Sequence, residues 1–193
     1  MNQTSINRSS KILFWNIRGI NSQEKWDAIR SKINESACQV LCLQETKREL
    51  FDNFYIRKFC PRSLDKFVFS PSVGNSGGLL TIWNSSIFEG ALVQSNSYAL
   101  TVKLSCRIDN TSFHLTNTYG PSNPMQKHGF ITWLTNLDTN GFDDWVLGGD
   151  FNLIRSPKNR NKPGGDTIEM NMFNNLISDL DLFEIPFSGR NFT

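Results

Sequence analysis

Apolar and polar positions along this chain fall into short runs broken by turn residues, and no single long period dominates. Lys11 to Ile17 (KILFWNI) is mostly apolar, with Asn16 near its end, and predicts a first core strand. After an Arg18-Gly19-Ile20 turn, Asn21 is placed to cap a helix, with Glu24 three residues on as its capping-box partner. Trp26, Ile29 and Ile33 recur at helical spacing, so the helix is expected to run to about Ser36 with one buried face. Gln39 to Leu43 predicts a second strand that delivers Gln44-Glu45-Thr46 at its end. Strand, helix and strand together make a local α/β unit.

Leu50, Phe54 and Phe59 suggest a short irregular helix before Pro61, and Lys66 to Ser70 a further strand. The small residues from Pro71 to Gly78 are expected to form a loop. Its Gly74-Asn75-Ser76-Gly77-Gly78 core lacks the Gly-Lys-Ser/Thr ending of a phosphate-binding loop, so it reads as a tight turn between strands. Leu79–Trp83, Ile87–Gln94, Tyr98–Cys106 and Thr111–Thr118 then follow at the spacing of antiparallel hairpins. Tyr119 to Pro124 is a rigid loop, and Phe130, Leu134 and Leu137 mark a second helix ending near Gly141. Asp166 with Glu169 signals a third helix, whose expected buried positions are Met170, Phe173, Ile177 and Leu180.

The run Trp145-Val146-Leu147-Gly148-Gly149-Asp150-Phe151-Asn152 organises the rest: a buried strand, two glycines, then an acid and an amide two residues apart. Taken alone it reads better as a Gly-Asp turn after a core strand. Composition suits one globular domain: 193 residues, 38% hydrophobic, with five Trp and fifteen Phe to fill a core. No repeat or linker divides the chain, and residues 1–10 are expected to be a disordered N-terminal segment before a domain over 11–193. Twenty basic against eighteen acidic residues leave a formal charge of only +2. Nucleic-acid binding would therefore need a local basic patch. Cys38, Cys42, Cys60 and Cys106 show no paired CxxC spacing, which argues against zinc, and Cys38 and Cys42 read as reduced core thiols. The polar opening lacks the apolar core of a signal peptide, and no apolar run approaches the about 20 residues that span a bilayer. The expectation is an intracellular, nuclear protein with no membrane association and no obligate protein partner.

Core strands end in oxygen-bearing side chains: Asn16, Glu45, and Asp150 with Asn152, while Tyr119 ends another. Hard oxygen donors suit Mg²⁺, which takes one or two carboxylates and keeps waters for a phosphate substrate. A second carboxylate nearby can orient and deprotonate an attacking water.

Four stretches carry a resemblance: Phe14-Trp15-Asn16-Ile17-Arg18-Gly19, Leu43-Gln44-Glu45-Thr46, Asn117-Thr118-Tyr119-Gly120-Pro121 and Gly148-Gly149-Asp150-Phe151-Asn152. They resemble successive motifs of the endonuclease/exonuclease/phosphatase superfamily. Within it the likeness is to the endonuclease domain of plant LINE-type (non-LTR) retrotransposons. Arg18 stands where abasic-site repair enzymes typically carry aspartate, and the Ser188-Gly189-Arg190-Asn191-Phe192-Thr193 ending is of the retroelement kind. The resemblance implies a DNase I-like α/β fold, a four-layer sandwich of two mainly antiparallel β-sheets flanked by helices. It implies that Glu45 binds Mg²⁺ (or Mn²⁺) with Asn16 beside it. Tyr119 would hydrogen-bond the scissile phosphate, Asp150 would activate the water, and Asn152 would help place both. The implied partner is DNA. Arg155, Lys158, Arg160 and Lys162, in a loop free of acids, are candidates for its backbone phosphates, against a plain solvated loop.

One departure counts against full activity. The family's site also uses a late aspartate and an Asp-His pair in a Ser-Asp-His segment. The only histidines here are His114, inside an apolar strand, and His128, near a helix start, and both precede Asp150. The chain stops at Thr193 partway into an expected strand, so the domain reads as C-terminally truncated. The leading function is Mg²⁺-dependent phosphodiester hydrolysis, the DNA-nicking step of a retroelement, impaired in this chain. The alternatives are an inactive remnant that at most binds nucleic acid or a partner, and a hydrolase of the same superfamily acting on a non-DNA phosphoester.

Overall fold

The computed structural model describes residues 10–74, 76–142, 144–159 and 165–186. The first sheet is built from β1 (Ile12–Asn16), β2 (Val40–Gln44), β3 (Lys66–Val73) and β4 (Ser76–Trp83), in spatial order β1-β2-β4-β3. β1 and β2 run parallel with Asn16 opposite Gln44, and α1 (Gln23–Ser36) makes the crossover that parallel strands require. The other pairs in this sheet are antiparallel. The second sheet has the order β5 (Phe88–Ser95), β6 (Ala99–Cys106), β7 (Ser112–Tyr119) and β8 (Trp145–Asp150). Its β5–β6 and β6–β7 pairs are antiparallel, with a register shift at Leu92/Gln94. The expected α/β class, two β-sheets flanked by helices, is the observed one; the parallel β1–β2 pair makes the first sheet mixed.

By backbone proximity the chain divides into two compact units. The first comprises Met1–Thr118 and Phe142–Gly149, and the second Tyr119–Gly141 and Asp150–Thr193. In the first unit, alternation along the strands separates two cores. Leu41 and Leu43 of β2 and Leu80 and Ile82 of β4 join Ile29 and Ile33 of α1 and Ile56 of α2 (Asn53–Ile56). The opposite face, Val40, Cys42 and Trp83, meets Val102, Leu104 and Leu115 of the second sheet. Burial on both faces explains why β2 reads as a continuous apolar run rather than an alternating one. Each such side chain stabilises the fold by about 1.5–3 kcal/mol. The cysteines behave as expected of core thiols: Cys38, Cys42 and Cys60 are buried and free, and burial pushes the Cys42 and Cys60 thiols well above their usual range.

The second unit is organised by α3 (Pro124–Thr135) and α4 (Thr167–Asp179). Phe130, Ile131 and Leu134 of α3 are buried, as are Met170, Phe173 and Leu176 of α4. A half-buried ion pair, Lys127 to Glu169 at 2.9 Å, links the two helices. Among the described residues no helix is long and apolar enough to cross a membrane.

Several local expectations are corrected. The cap of α1 is Ser22, whose hydroxyl accepts from Lys25 N–H, and not Asn21. Asn21 is otherwise engaged: its amide donates to Lys47 O at 3.2 Å, and its Oδ1 accepts from the Tyr55 hydroxyl at 3.1 Å. The Pro71–Gly78 loop is mostly strand, since β3 runs to Val73 and β4 starts at Ser76. Pro71 is tolerated there because β3 is an edge strand. The short helix before Pro61 turns Tyr55 and Ile56 inward, leaving Leu50 and Phe54 exposed. α3 stops at Thr135, well before Gly141, although Leu137 beyond it is still buried. On α4 the third buried position is Leu176, with Ile177 and Leu180 half-buried. The expected N-terminal segment up to Ser9, and the Ser188–Thr193 ending, lie outside the described residues.

Candidate active site

Glu45 is the first residue after β2, at the end of the sheet where the parallel register also places Asn16. Its backbone takes the left-handed conformation, φ 54°, which is uncommon for a residue that is not glycine or asparagine. Neighbouring hydrogen bonds impose it. Glu45 O accepts from Gly19 N–H at 2.7 Å, and the next two amides, Thr46 and Lys47, donate to Gly78 O and Gly77 O at 3.1 Å each. Arg18 and Lys47, in the turns beside it, are left-handed as well, φ 52° and 53°. The Glu45 carboxylate is mostly buried, 17% exposed, and pairs with Lys47 Nζ at 3.1 Å. Asn16 Oδ1 accepts from Arg18 N–H at 3.1 Å, closing the turn that leaves β1.

Under these strand ends lies a buried polar network. Gln44 Nε2 donates to Asn117 Oδ1 at 2.7 Å and to Cys42 O at 3.1 Å. Asn117 Nδ2 in turn donates to Leu43 O and Leu80 O, at 3.3 and 3.2 Å. The two sheets of the first unit are thus joined by side-chain amides one residue from Glu45.

The second unit assembles Tyr119, Asp150 and Asn152. Gly120 N–H donates to Asp150 O at 2.8 Å, and Asn152 Nδ2 donates to Gly120 O at 2.8 Å. Asp150 Oδ1 accepts from Asn152 N–H at 3.1 Å, so the acid's own loop orients it. Asn152 is also left-handed, φ 51°. Gly120 is required by this close approach: a Cβ there would stand 2.1 Å from Phe151 O. Tyr119, Asp150 and Asn152 are all half-buried.

The basic loop divides. Arg155 Nε donates to Asn174 Oδ1 at 2.9 Å, Asn174 Nδ2 donates back to Arg155 O, and the guanidinium also meets Glu184. Arg155 is thereby an anchor of the loop on α4. Lys158 is exposed in a 3₁₀ turn, Pro157–Asn159. Arg160 and Lys162 lie outside the described residues. His114 is buried and stacked on Phe142 with ring centroids 4.0 Å apart, and His128 is exposed on α3.

Solved structures share this architecture. The AP endonuclease of Leishmania major superposes with a TM-score of 0.66 at 19% identity, over 88% of this chain and 66% of that one. The endonuclease domain of TRAS1, a telomere-specific non-LTR retrotransposon, gives 0.65 at 11% identity, over 89% and 72%. The Xenopus laevis APE2 catalytic domain gives 0.62 at 19%, over 88% and 67%. The chain has the DNase I-like fold. It spans 66% of the Leishmania protein's length. No family model matches the sequence, and no curated protein matches it.

The partners of Glu45 and Gln44 carry little signal in the residues themselves. Lys47 follows Glu45 by two residues and could have been read as a charge neighbour. The Gln44–Asn117 bond had no local signal, because the two lie 73 residues apart.

Proposed function

We propose that this chain is a divalent-metal-dependent phosphodiesterase that nicks DNA, of the retroelement-endonuclease kind. The observation that carries the reading is Glu45 itself: a mostly buried carboxylate on a left-handed backbone at the end of a core strand.

The donor chemistry fits Mg²⁺. Glu45 and Asn16 offer hard oxygens at one sheet end, where Mg²⁺ would compete with Lys47 Nζ, at 3.1 Å, for the Glu45 carboxylate. Among the described residues no cluster of three or more His, Cys, Asp or Glu surrounds a point. Mg²⁺ does not need one, because water and phosphate oxygens complete its shell. Glu45 and Asn16 would hold the ion, which when bound polarises a phosphoryl oxygen. Asp150, held by Asn152 N–H on Oδ1, takes a proton from the attacking water. Asn152 fixes the Tyr119-Gly120 turn, and the Tyr119 hydroxyl donates to a phosphate oxygen. Lys158 contacts the DNA backbone, a role also proposed for Arg160 and Lys162.

Activity is expected to be low. In this fold's nucleases positioning supplies much of the rate, and neither histidine stands ready to help: His114 is buried on Phe142 and His128 sits on an exposed helix face. The test is plasmid nicking with Mg²⁺ by the chain and by Glu45→Gln and Asp150→Asn. Nicking lost in both variants supports the reading, and nicking retained in either removes that residue's role.

A further inference from the structure

The first unit holds an open pocket of about 550 Å³ lined by Trp26, Lys47, Arg48, Tyr55, Lys58 and Ser72 among others. Its chemistry is cationic and aromatic. The Arg48 guanidinium lies over the Tyr55 ring, 3.5 Å from its centroid. Lys58 Nζ sits 4.6 Å from the Trp26 ring and 5.3 Å from that of Tyr55. Two buried polar atoms beside the pocket, Arg48 Nε and Ser72 Oγ, have no hydrogen-bond partner among the described residues. Ser72 is only 5% exposed, and its N–H donates to Arg48 O at 3.1 Å, which sets the two residues side by side.

We propose that this pocket binds a backbone phosphate of a nucleic-acid strand, next to the one cleaved; this rests on the phosphodiesterase reading above. Lys47, Arg48 and Lys58 outnumber the single acid on the lining, Glu49, so an anion is favoured. A phosphate offers acceptors in several directions, matching the Lys47, Arg48 and Lys58 cations that line the pocket. Lys47 both pairs with Glu45 and lines the pocket. A strand engaged at Glu45 would therefore pass the pocket with a neighbouring phosphate.

The experiment uses the full chain in EDTA, so that neither metal nor cleavage enters. Fluorescence anisotropy of a labelled 12-nucleotide DNA strand is followed over a salt series for Arg48→Lys, Lys58→Gln and, as a control on the exposed face of α1, Lys32→Gln. Circular dichroism checks folding, and Lys58→Gln, a half-exposed position, serves if Arg48→Lys fails to fold. The expected result is about 3–10-fold weaker binding and a salt slope lower by about 0.7 for Lys58→Gln and about 3–10-fold weaker binding for Arg48→Lys, with Lys32→Gln unchanged. Normal binding by both pocket variants overturns the proposal, as does a strand that binds no more tightly than a free mononucleotide, or not at all. Plasmid nicking with Mg²⁺ is measured in parallel. A chain that nicks while its pocket variants bind normally sinks the pocket alone, whereas pocket-dependent binding without nicking sinks the hydrolase reading alone.

Discussion

The side-chain amide of Gln44 donates to the side-chain carbonyl of Asn117 at 2.7 Å, across the interface between the two sheets of the first unit. Both residues are essentially inaccessible, at 1% and 0% exposure. Water cannot replace a lost partner there, so truncating one side leaves the other's polar groups orphaned. Asn117→Leu is expected to destabilise the chain by about 2–4 kcal/mol in urea unfolding. Gln44→Leu/Asn117→Leu together should cost clearly less than the sum of the singles. Additive losses would show that the pair does not act as a unit.

Glu45 holds a conformation that asparagine tolerates better. If the strain serves the carboxylate, removing both together should cost the fold nothing. Glu45→Asn is therefore expected to leave stability unchanged or up to about 1 kcal/mol higher, while Mg²⁺-dependent nicking is lost. Clear destabilisation, seen as a lower urea midpoint at the same slope, would make Glu45 a structural residue instead.

Elements with a strong local signal were legible from the residues alone. The three strands from Ile87 to Thr118 could be placed to within one residue, because apolar alternation and turn chemistry agree there. Boundaries failed where a tertiary partner intervened. Asn21 looked like a cap but is held by Lys47 and Tyr55, and Phe54, which marked the short helix, is exposed because α2 faces inward through Tyr55 and Ile56. At the candidate site the residue types at the strand ends could be read, but their wiring could not. Arg155 illustrates the difference: its charge suggested DNA, and its guanidinium is bonded to Asn174 and Glu184.

Asp65 gives a pH test of the fold independent of the site. Burial works to raise its pKa, but hydrogen bonds from the Ser85 N–H and hydroxyl, at 2.9 and 2.7 Å, outweigh it, and the net shift is downward. A folded-state pKa below the unfolded one means the carboxylate stabilises the fold above the usual carboxylate range. That contribution is lost as pH falls through the folded value. Asp65→Asn should therefore be less stable than the unaltered chain at neutral pH, and the gap should narrow in acid. Urea midpoints measured from pH 7 down to pH 3 check this, and a gap constant with pH would refute it.

Asn152 makes two bonds that substitution can separate. Its backbone N–H holds Asp150 Oδ1, and its side-chain amide holds Gly120 O at 2.8 Å. Glycine keeps the first bond and suits the left-handed backbone, so Asn152→Gly loses only the side-chain bond and is expected to cost about 1 kcal/mol or less. Aspartate is nearly isosteric but sets a carboxylate oxygen against the Gly120 carbonyl, acceptor against acceptor, beside the Asp150 carboxylate. Asn152→Asp should therefore cost more, about 1–3 kcal/mol. If Asn152 positions the catalytic acid through its backbone, Asn152→Gly should also retain more nicking than Asn152→Asp. Thermal unfolding and plasmid nicking on the two variants decide the matter. Equal behaviour of the two would mean that the Asn152–Gly120 bond organises neither the turn nor the acid.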